Sequence, residues 1–280
     1  MSDQQESASH QADPTEGIQK HNVMQDDFGW QVPVEAVPVP SEGKVYSPDS
    51  SMYGRHSLEI KAMTAQEEDI LTSRALIQQG TVIKALLESC LLDKTVDVDE
   101  LLLGDKNALM VSVRITGYGS SYGATVSCPE CVRSSSQDFD LSSMEIKRLE
   151  IESVTPGENR FEFRLPVTGK LVHFKFLTGY DDDEITTTAD RRRKMMDSGV
   201  ESMVTTRLSH QIIAVDNVTD KNKLSAFVRS MPAQDSRKLR NYISEHEPGV
   251  DMRVWMSCTH CSADSRVSLP LGSNFFWPAG

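Results

Sequence analysis

Two Cys-x-x-Cys motifs with matching flanks are the feature that most constrains how this chain can fold. They lie in VSCPECVRSSSQDFDL (126–141) and in MSCTHCSADSRVSLPL (256–271). In each, an apolar residue and a serine precede the first cysteine, and a short polar loop leads into a segment of alternating apolar residues. Alternation with a period of two is typical of a strand with one buried face. The sequence therefore predicts strand, knuckle and strand twice over.

The cysteine spacing favours one metal ion held by both motifs. A two-residue spacing lets both thiolates of a knuckle reach one tetrahedral ion, and two knuckles complete four ligands. The predicted ligands of a structural zinc are Cys128, Cys131, Cys258 and Cys261. Two reversible disulfides, or four thiols without a metal, are the alternatives to a zinc site. A thioredoxin-type pair would begin a helix in a βαβ unit, whereas these motifs enter strands. His260, inside the second motif, is either a substitute ligand or an exposed neighbour of the site.

The distance between the motifs predicts an insertion. Cys131 and Cys258 are separated by 126 residues, far more than the 15–20 of a compact zinc ribbon. If one ion joins both motifs, residues 56–280 form a single domain with a helical segment, about 178–247, inserted between the knuckles. A four-thiolate site has no open coordination position, so the metal would be structural.

Composition sets the first 55 residues apart. They carry nine acids, three bases and five of the twelve prolines, and QVPVEAVPVP cannot be helical because proline removes an amide donor. We expect residues 1–55 to be an extended or disordered arm. It is either a solvated tail or a segment that orders on a neighbouring subunit through its apolar residues Trp30, Val32, Val34, Val37 and Val39.

Local patterns between these regions predict an α+β fold. Thr64 to Glu67 form a capping box that begins a helix, and a second apolar helix holds Cys90 as a buried thiol. The ambiguous stretch 96–119 is interpreted as a helix ending at Gly117 or Gly119. A hairpin turning at Thr168-Gly169 is followed by predicted helices in 180–199, 205–214 and 232–247. The prediction is helices and short β-hairpins, closed by a zinc-ribbon-like site and preceded by an extended arm.

Composition and motifs also narrow the classes of function. A net charge of −12 argues against unaided binding to nucleic acid, which depends on Lys and Arg. No run of apolar residues is long enough for a membrane span, no signal peptide is visible, and five cysteines suit a reducing cytoplasm. No phosphate-binding loop, nucleophile elbow or zinc-protease motif is present, so we expect no enzyme. The acids at 181–184 suit a helix N-terminus better than a cation site, and the bases at 191–194 suit a solvated face better than a partner contact.

The order of these features resembles the baseplate hub protein family of T-even-type contractile-tailed bacteriophages. The segments that carry the resemblance are MTAQEEDILTSRALIQQG, ELLLGDKNALMVSVRITGYG, SCPEC with DFDL, FRLPVTGK, MPAQDSRKLR, EPGVD, and SCTHC through LPLGSNFFWP. They span about residues 57–278, and the long acidic N-terminus departs from the pattern. The resemblance implies a non-enzymatic part of the tail baseplate, either built into the virion or assisting hub assembly in the host cytoplasm.

The same resemblance and several aromatic residues lead us to expect contacts with partner proteins. Other baseplate, hub and tail-tube proteins are the implied partners. Phe275, Phe276 and Trp277 near the C-terminus, with Trp30 in the arm, are the predicted contact residues, although the C-terminal aromatic residues could instead pack on their own domain. A zinc-ribbon nucleic-acid-binding or regulatory protein and a thiol oxidoreductase are the alternative functions.

Overall fold

The computed structural model describes residues 23–25, 31–195, 203–271 and 273–276. Its N-terminal half, in chain order, contains β1 (Val23–Gln25), β2 (Gln31–Pro38), β3 (Ser57–Lys61), α1 (Ala65–Thr72), α2 (Arg74–Gln79), α3 (Val82–Cys90), α4 (Leu103–Tyr118), β4 (Ser121–Ser127) and β5 (Ser134–Asp140). The C-terminal half contains β6 (Ile146–Lys147), β7 (Phe161–Arg164), β8 (Leu171–Phe174), α5 (Gly179–Met195), α6 (Met203–Gln211), β9 (Ile212–Val215), α7 (Lys221–Ser230), α8 (Ala233–His246), β10 (Gly249–Val250), β11 (Arg253–Ser257) and β12 (Asp264–Ser268). Short 3-10 turns occupy Leu141–Ser143 and Ser273–Phe276.

The strands form small antiparallel sheets, which confirms the predicted α+β class. Two sheets have three strands, in the orders β1-β2-β3 and β7-β8-β9. The other three are two-stranded: β4 with β5, β11 with β12, and β10 with β6. Among the described helices none is long and apolar enough to span a membrane.

The second half of the expected arm is part of the fold. Residues 31–38 form β2, which pairs with β3 in the register Val37↔Leu58. Val34, Val37 and Val39 are buried. Residues 31–38 are extended, as predicted, but residues 31–55 are neither disordered nor docked on a neighbour, because their valines pack into the core of their own chain. Residues 1–22 and Trp30 lie outside the described residues.

Most of the predicted helices are present. The stretch 96–119 contains α4, which ends at Tyr118, with Gly119 at φ 81° as its C-cap. The helices predicted in 180–199 and 232–247 are α5 and α8, and the hairpin at Thr168-Gly169 is formed by β7 and β8. The helix expected over 205–214 ends at Gln211, because the β-branched residues after it form β9 and pair with β8.

One hydrophobic core connects the regions on both sides of the cysteine motifs. It contains Leu58 of β3, Leu86 of α3, Val113 of α4 and Leu239 of α8. Cys90 lies in this core with no exposed surface, and burial raises the pKa of its thiol to about 12. The prediction of a buried thiol at this position is confirmed.

A buried carboxylate holds the chain after β2 onto the start of α4. Asp105 accepts hydrogen bonds from the Ser41 backbone N–H at 2.9 Å, the Ser41 hydroxyl at 2.6 Å and the Tyr46 hydroxyl at 2.6 Å. The Tyr46 oxygen in turn accepts the N–H of Leu102 at 2.9 Å. Burial raises the pKa of Asp105 despite these donors. Asp105 is 2% exposed, so water cannot replace it as an acceptor.

The predicted capping box of α1 is present and extended by two more donors. Glu67 is fully buried and accepts the Thr64 N–H at 2.9 Å, the Lys61 ammonium at 2.7 Å and the Ser89 hydroxyl at 2.6 Å. Burial acts to raise the pKa of Glu67, but the hydrogen bonds from Lys61, Ser89 and Thr64 outweigh it and lower the pKa to about 2. The carboxylate joins α1 to β3 and α3.

Replacing Asp105 by alanine should destabilise the whole domain. The substitution leaves the Ser41 N–H and the Tyr46 hydroxyl buried without an acceptor, which costs roughly 2–4 kcal/mol of unfolding free energy. Urea unfolding followed by circular dichroism measures the loss. Asp69→Ala, at an exposed position of α1, is the control and should change the unfolding free energy by less than about 0.5 kcal/mol. Equal effects of the two substitutions would contradict this role for Asp105.

Glu67 should make stability depend on pH in the acid range. Its pKa is about 2 in the folded chain and near the ordinary 4.5 when unfolded, so its contribution is present above pH 4.5 and is lost as the pH falls toward 2. The difference in unfolding free energy between wild type and Glu67→Gln should therefore shrink between pH 5 and pH 2.5. Asp69→Asn serves as the control. A difference that is constant over this range would show that the Glu67 carboxylate does not have a lowered pKa.

Candidate metal centre

The two cysteine motifs form equivalent turns at the ends of two hairpins. One turn connects β4 to β5 and the other connects β11 to β12. In the first, the Cys128 N–H donates to the Arg133 carbonyl and the Val132 N–H donates to the Cys128 carbonyl, each at 2.9 Å. The second repeats both bonds with Ala263 and Ser262, also at 2.9 Å. The predicted strand, knuckle and strand pattern is confirmed at both sites.

The residue after the second cysteine has a left-handed backbone in both turns. Val132 has φ 61° and Ser262 has φ 57°. A β-branched residue rarely adopts this conformation, and Val132 gains no packing from it, since it is 79% exposed. The turn directs both sulfurs of the knuckle the same way. It therefore imposes on Val132 a left-handed backbone that valine does not favour.

The strand residues beside each turn are also equivalent. The hydroxyls of Ser127 and Ser134, a cross-strand pair, lie 2.9 Å apart. At the corresponding cross-strand pair of the second hairpin, the Ser257 hydroxyl donates to the Asp264 carboxylate. Each bond closes the last pair of a ladder just before the chain leaves for the knuckle, so both turns begin from a fixed strand spacing.

The two hairpins contact each other beneath the turns. The Gln137 side-chain amide of β5 donates to the Ser257 carbonyl of β11 at 3.0 Å. The Tyr122 hydroxyl of β4 donates to the Pro270 carbonyl at 3.0 Å. Buried apolar side chains from both hairpins, including Val126 and Met256, belong to the common core. These contacts bring together two turns that are far apart in sequence.

The four cysteine sulfurs form one cluster. All four Sγ atoms lie within 4.8 Å of one another. The Cys128 and Cys261 sulfurs are 3.8 Å apart, and the Cys131 and Cys258 sulfurs are 3.7 Å apart. Tetrahedral zinc with Zn–S bonds of about 2.3 Å requires sulfurs separated by about 3.8 Å. A disulfide requires about 2.05 Å, and all four thiols are free.

The surroundings of the sulfurs favour negative charge on Cys258. The His260 backbone N–H donates to the Cys258 sulfur at 3.4 Å and, with the Cys261 N–H, lowers the pKa of that thiol to about 6. At Cys261 the Ala263 N–H acts to lower the pKa, but hydrogen bonds with the other three sulfurs, together with desolvation, raise it to about 12. The Cys258 thiolate is thus stabilised by hydrogen bonds from the neighbouring thiols. A bound cation would take the place of those thiol protons.

The cluster is half enclosed. Cys128 and Cys258 are buried, Cys131 is partly exposed and Cys261 is exposed. The four thiols are all of one ligand type, which suits zinc, and they would leave a tetrahedral ion no coordination position for water or substrate. His260 is exposed, and within the described residues the ligand cluster consists of the cysteines alone. Of the two interpretations of His260, the exposed neighbour agrees with the structure.

The C-terminal phenylalanines pack on their own domain. Phe275 and Phe276 have no exposed surface, and the Phe275 ring lies 5.0 Å from that of Tyr122. The buried Arg114 guanidinium donates from Nε to the Phe275 carbonyl at 3.1 Å. Of the two interpretations of these rings, packing on their own domain agrees with the structure, because the core covers them. Trp277 and Trp30 lie outside the described residues.

Arg114 was not identified from the sequence. It also donates to the Gly119 carbonyl at 2.9 Å and the Ser121 carbonyl at 3.2 Å, so one side chain joins the end of α4, the start of β4 and the C-terminal turn. A single arginine in an apolar helix is the one sequence signal of this role, and it does not indicate which carbonyls the arginine will meet.

Acidic residues near helix starts serve the fold. Asp181 of α5 accepts the Lys175 ammonium at 2.7 Å and the Thr178 N–H at 3.0 Å. Asp235 of α8 accepts the N–H groups of Val167 and Thr168 at 2.8 and 3.0 Å. The helix-terminus interpretation of the acids at 181–184 agrees with these bonds. The side chains of residues 191–194 lie outside the described residues.

Comparison with known proteins identifies the family. A family model described as T4 bacteriophage base plate protein matches residues 36–277. No curated protein and no solved structure matched the chain. The match covers most of the chain and includes both hairpins, the helices between them and the buried C-terminal turn, and it confirms the resemblance found in the sequence. The chain belongs to the T4 bacteriophage base plate protein family.

Proposed function

We propose that this protein is a non-enzymatic component of the hub or wedge of a contractile-tail baseplate, held together by a structural zinc ion. The family match supports a structural role in a phage baseplate. The cluster of four thiols, with cross-knuckle distances of 3.7 and 3.8 Å, is the observation that supports the metal. Neighbouring tail proteins are its partners, and it assembles in the host cytoplasm before reaching the virion tail.

A zinc ion at the four cysteines would help to stabilise a chain whose sheets are small. Zinc would join two hairpins whose cysteines are separated by 126 residues, with α5 to α8 in the intervening chain. Structural zinc sites in small finger peptides contribute about 10–16 kcal/mol of apparent binding free energy, which becomes folding free energy when the site forms only in the folded chain. We infer a single domain from residue 31 onward, with the helices α5 to α8 as its insertion.

A structural role agrees with what the buried polar groups do. Asp105, Glu67 and Asp235 each accept hydrogen bonds from backbone or side-chain donors of another part of the chain. Each of these carboxylates is committed to holding elements together and lies at the start of a helix. Hydrogen bonds of this kind hold separate elements of one chain together, which suits a structural role.

The zinc content of the purified protein and a cysteine substitution test the proposed metal site. Purified protein should contain one equivalent of zinc, and Cys128→Ser should lose the zinc and unfold at lower temperature, because three thiolates no longer close the site. Cys90→Ala is the matched control, since Cys90 is buried outside the cluster and its loss should leave the zinc in place. A wild-type protein that folds fully without metal, or a Cys128→Ser variant of unchanged stability, would contradict the proposal.

The baseplate role can be tested in the phage that encodes the protein. Deleting the gene should stop tail assembly, and Cys128→Ser should reduce infectious particles together with soluble protein. Quantitative mass spectrometry of purified virions distinguishes a lasting component, present at a fixed ratio to other tail proteins, from an assembly helper that is missing. Normal tails assembled without the gene would refute the role.

A further inference from the structure

A groove runs between the two hairpins on the side where β5 approaches β11. Its volume is about 430 Å³, and its walls are residues 138–140 and 143–145 on one side and 251, 253–255 and 266 on the other. Each of these strands has only one strand partner among the described residues, β4 for β5 and β12 for β11. Strand edges with unpaired main-chain groups are the usual acceptors of an extended peptide.

An exposed aromatic ring forms part of the wall. Trp255 is 70% exposed, more than any other aromatic side chain in the part of the chain that the structure describes. It lies directly across from Arg266 in the ladder between β11 and β12. A tryptophan surface of this kind is enriched at protein interfaces and is the best side chain for contacting a cation.

The charge of the groove indicates which kind of segment can bind there. Its walls carry four acids and two bases. The two bases share one acid, since Arg253 donates twice to Asp251 at 2.8 Å and Arg266 donates to it at 3.3 Å, and this group keeps one positive charge against the three remaining acids. Among the described residues, the carboxylates of Asp138 and Glu145 accept no hydrogen bond and form no ion pair. The uncompensated charge of the groove is therefore negative.

The parts of this chain outside the described residues are too acidic to be the occupant of the groove. The segments outside the described residues, 1–22, 26–30, 196–202, 272 and 277–280, contain eight acids and one base, Lys20. A second copy carries a net charge of −12 and would be repelled by an acidic groove. The complementary occupant is an extended segment from another protein, bearing lysine or arginine.

We propose that the groove between β5 and β11 binds an extended basic segment of a neighbouring protein, with a cationic side chain against Trp255 and between Asp138 and Glu145. This proposal rests on the proposed baseplate function and specifies the chemistry of one partner contact. The strand edges supply main-chain hydrogen bonds, while the ring and the two carboxylates supply the preference for a cation.

The direct test uses a synthetic probe and the full-length protein. Nuclear magnetic resonance of the zinc-loaded protein, titrated with the capped nonapeptide TVTRTVTRT, should show saturable shifts in the Trp255 indole and in the amides of 138–140. The glutamate peptide TVTETVTET should bind about tenfold more weakly, because both of its charges are repelled. Equal binding of the two peptides, stronger binding of the glutamate peptide, or no shifts with either would overturn the proposal.

Variants then separate binding from folding. Trp255→Ala and the double variant Asp138→Asn with Glu145→Gln should each weaken the arginine peptide about tenfold while keeping one zinc and an unchanged melting temperature. Tyr53→Ala removes another exposed ring that is not part of the groove walls and should have no effect. Self-association of the wild type that Trp255→Ala abolishes would assign the groove to a second copy, against the proposal.

The same variants in the phage distinguish this proposal from the one on which it rests. The groove variants should lower the yield of infectious particles at least about tenfold, whereas Tyr53→Ala should not. If deletion of the gene blocks tail assembly but the groove variants assemble normally, the groove proposal fails and the baseplate role stands. If deletion has no effect, the baseplate role itself fails.

Discussion

The convergence of four cysteine sulfurs is the constraint on which the rest of this structure depends. The sulfurs lie on two turns whose cysteines are separated by 126 residues, at the ends of a loop that contains β7 to β9 and the helices α5 to α8. A metal ion bound to all four would stabilise the folded chain by its binding free energy, because the site is assembled only there. The loop is not independent of the rest, since its buried residues Leu208 and Leu239 share one core with Val113 of α4.

A second device recurs at four helix starts. Glu67, Asp105, Asp181 and Asp235 are each the third residue of a helix, and each accepts hydrogen bonds from residues outside that helix. The helix dipole favours a carboxylate at this end, so the acid is stabilised from its own helix while it binds another element. Part of the acidity of this chain therefore holds helices to their neighbours, and these carboxylates need no substrate to explain them.

The features that could be predicted are the ones set by local chemistry. The paired knuckles, the capping box at Thr64 and the end of α4 at Gly119 each depend on a few adjacent residues, and the structure has all of them. Disorder was wrongly expected for residues 31–55 because the acids and prolines there indicate an unfolded segment, while the few valines that pair β2 with β3 outweigh them. The strand β9 was taken as helix because its pairing with β8 is a tertiary contact. The positions of Arg114 and Trp255 likewise depend on elements that meet only in three dimensions.

X-ray absorption at the zinc edge reports the atoms bound to the ion in the purified protein, and so shows whether the four cysteines hold it. We expect four sulfur atoms at about 2.3 Å and no nitrogen or oxygen ligand, the pattern of a closed thiolate site. A spectrum with nitrogen or oxygen among the nearest atoms, or a protein that contains no zinc to absorb, would contradict it.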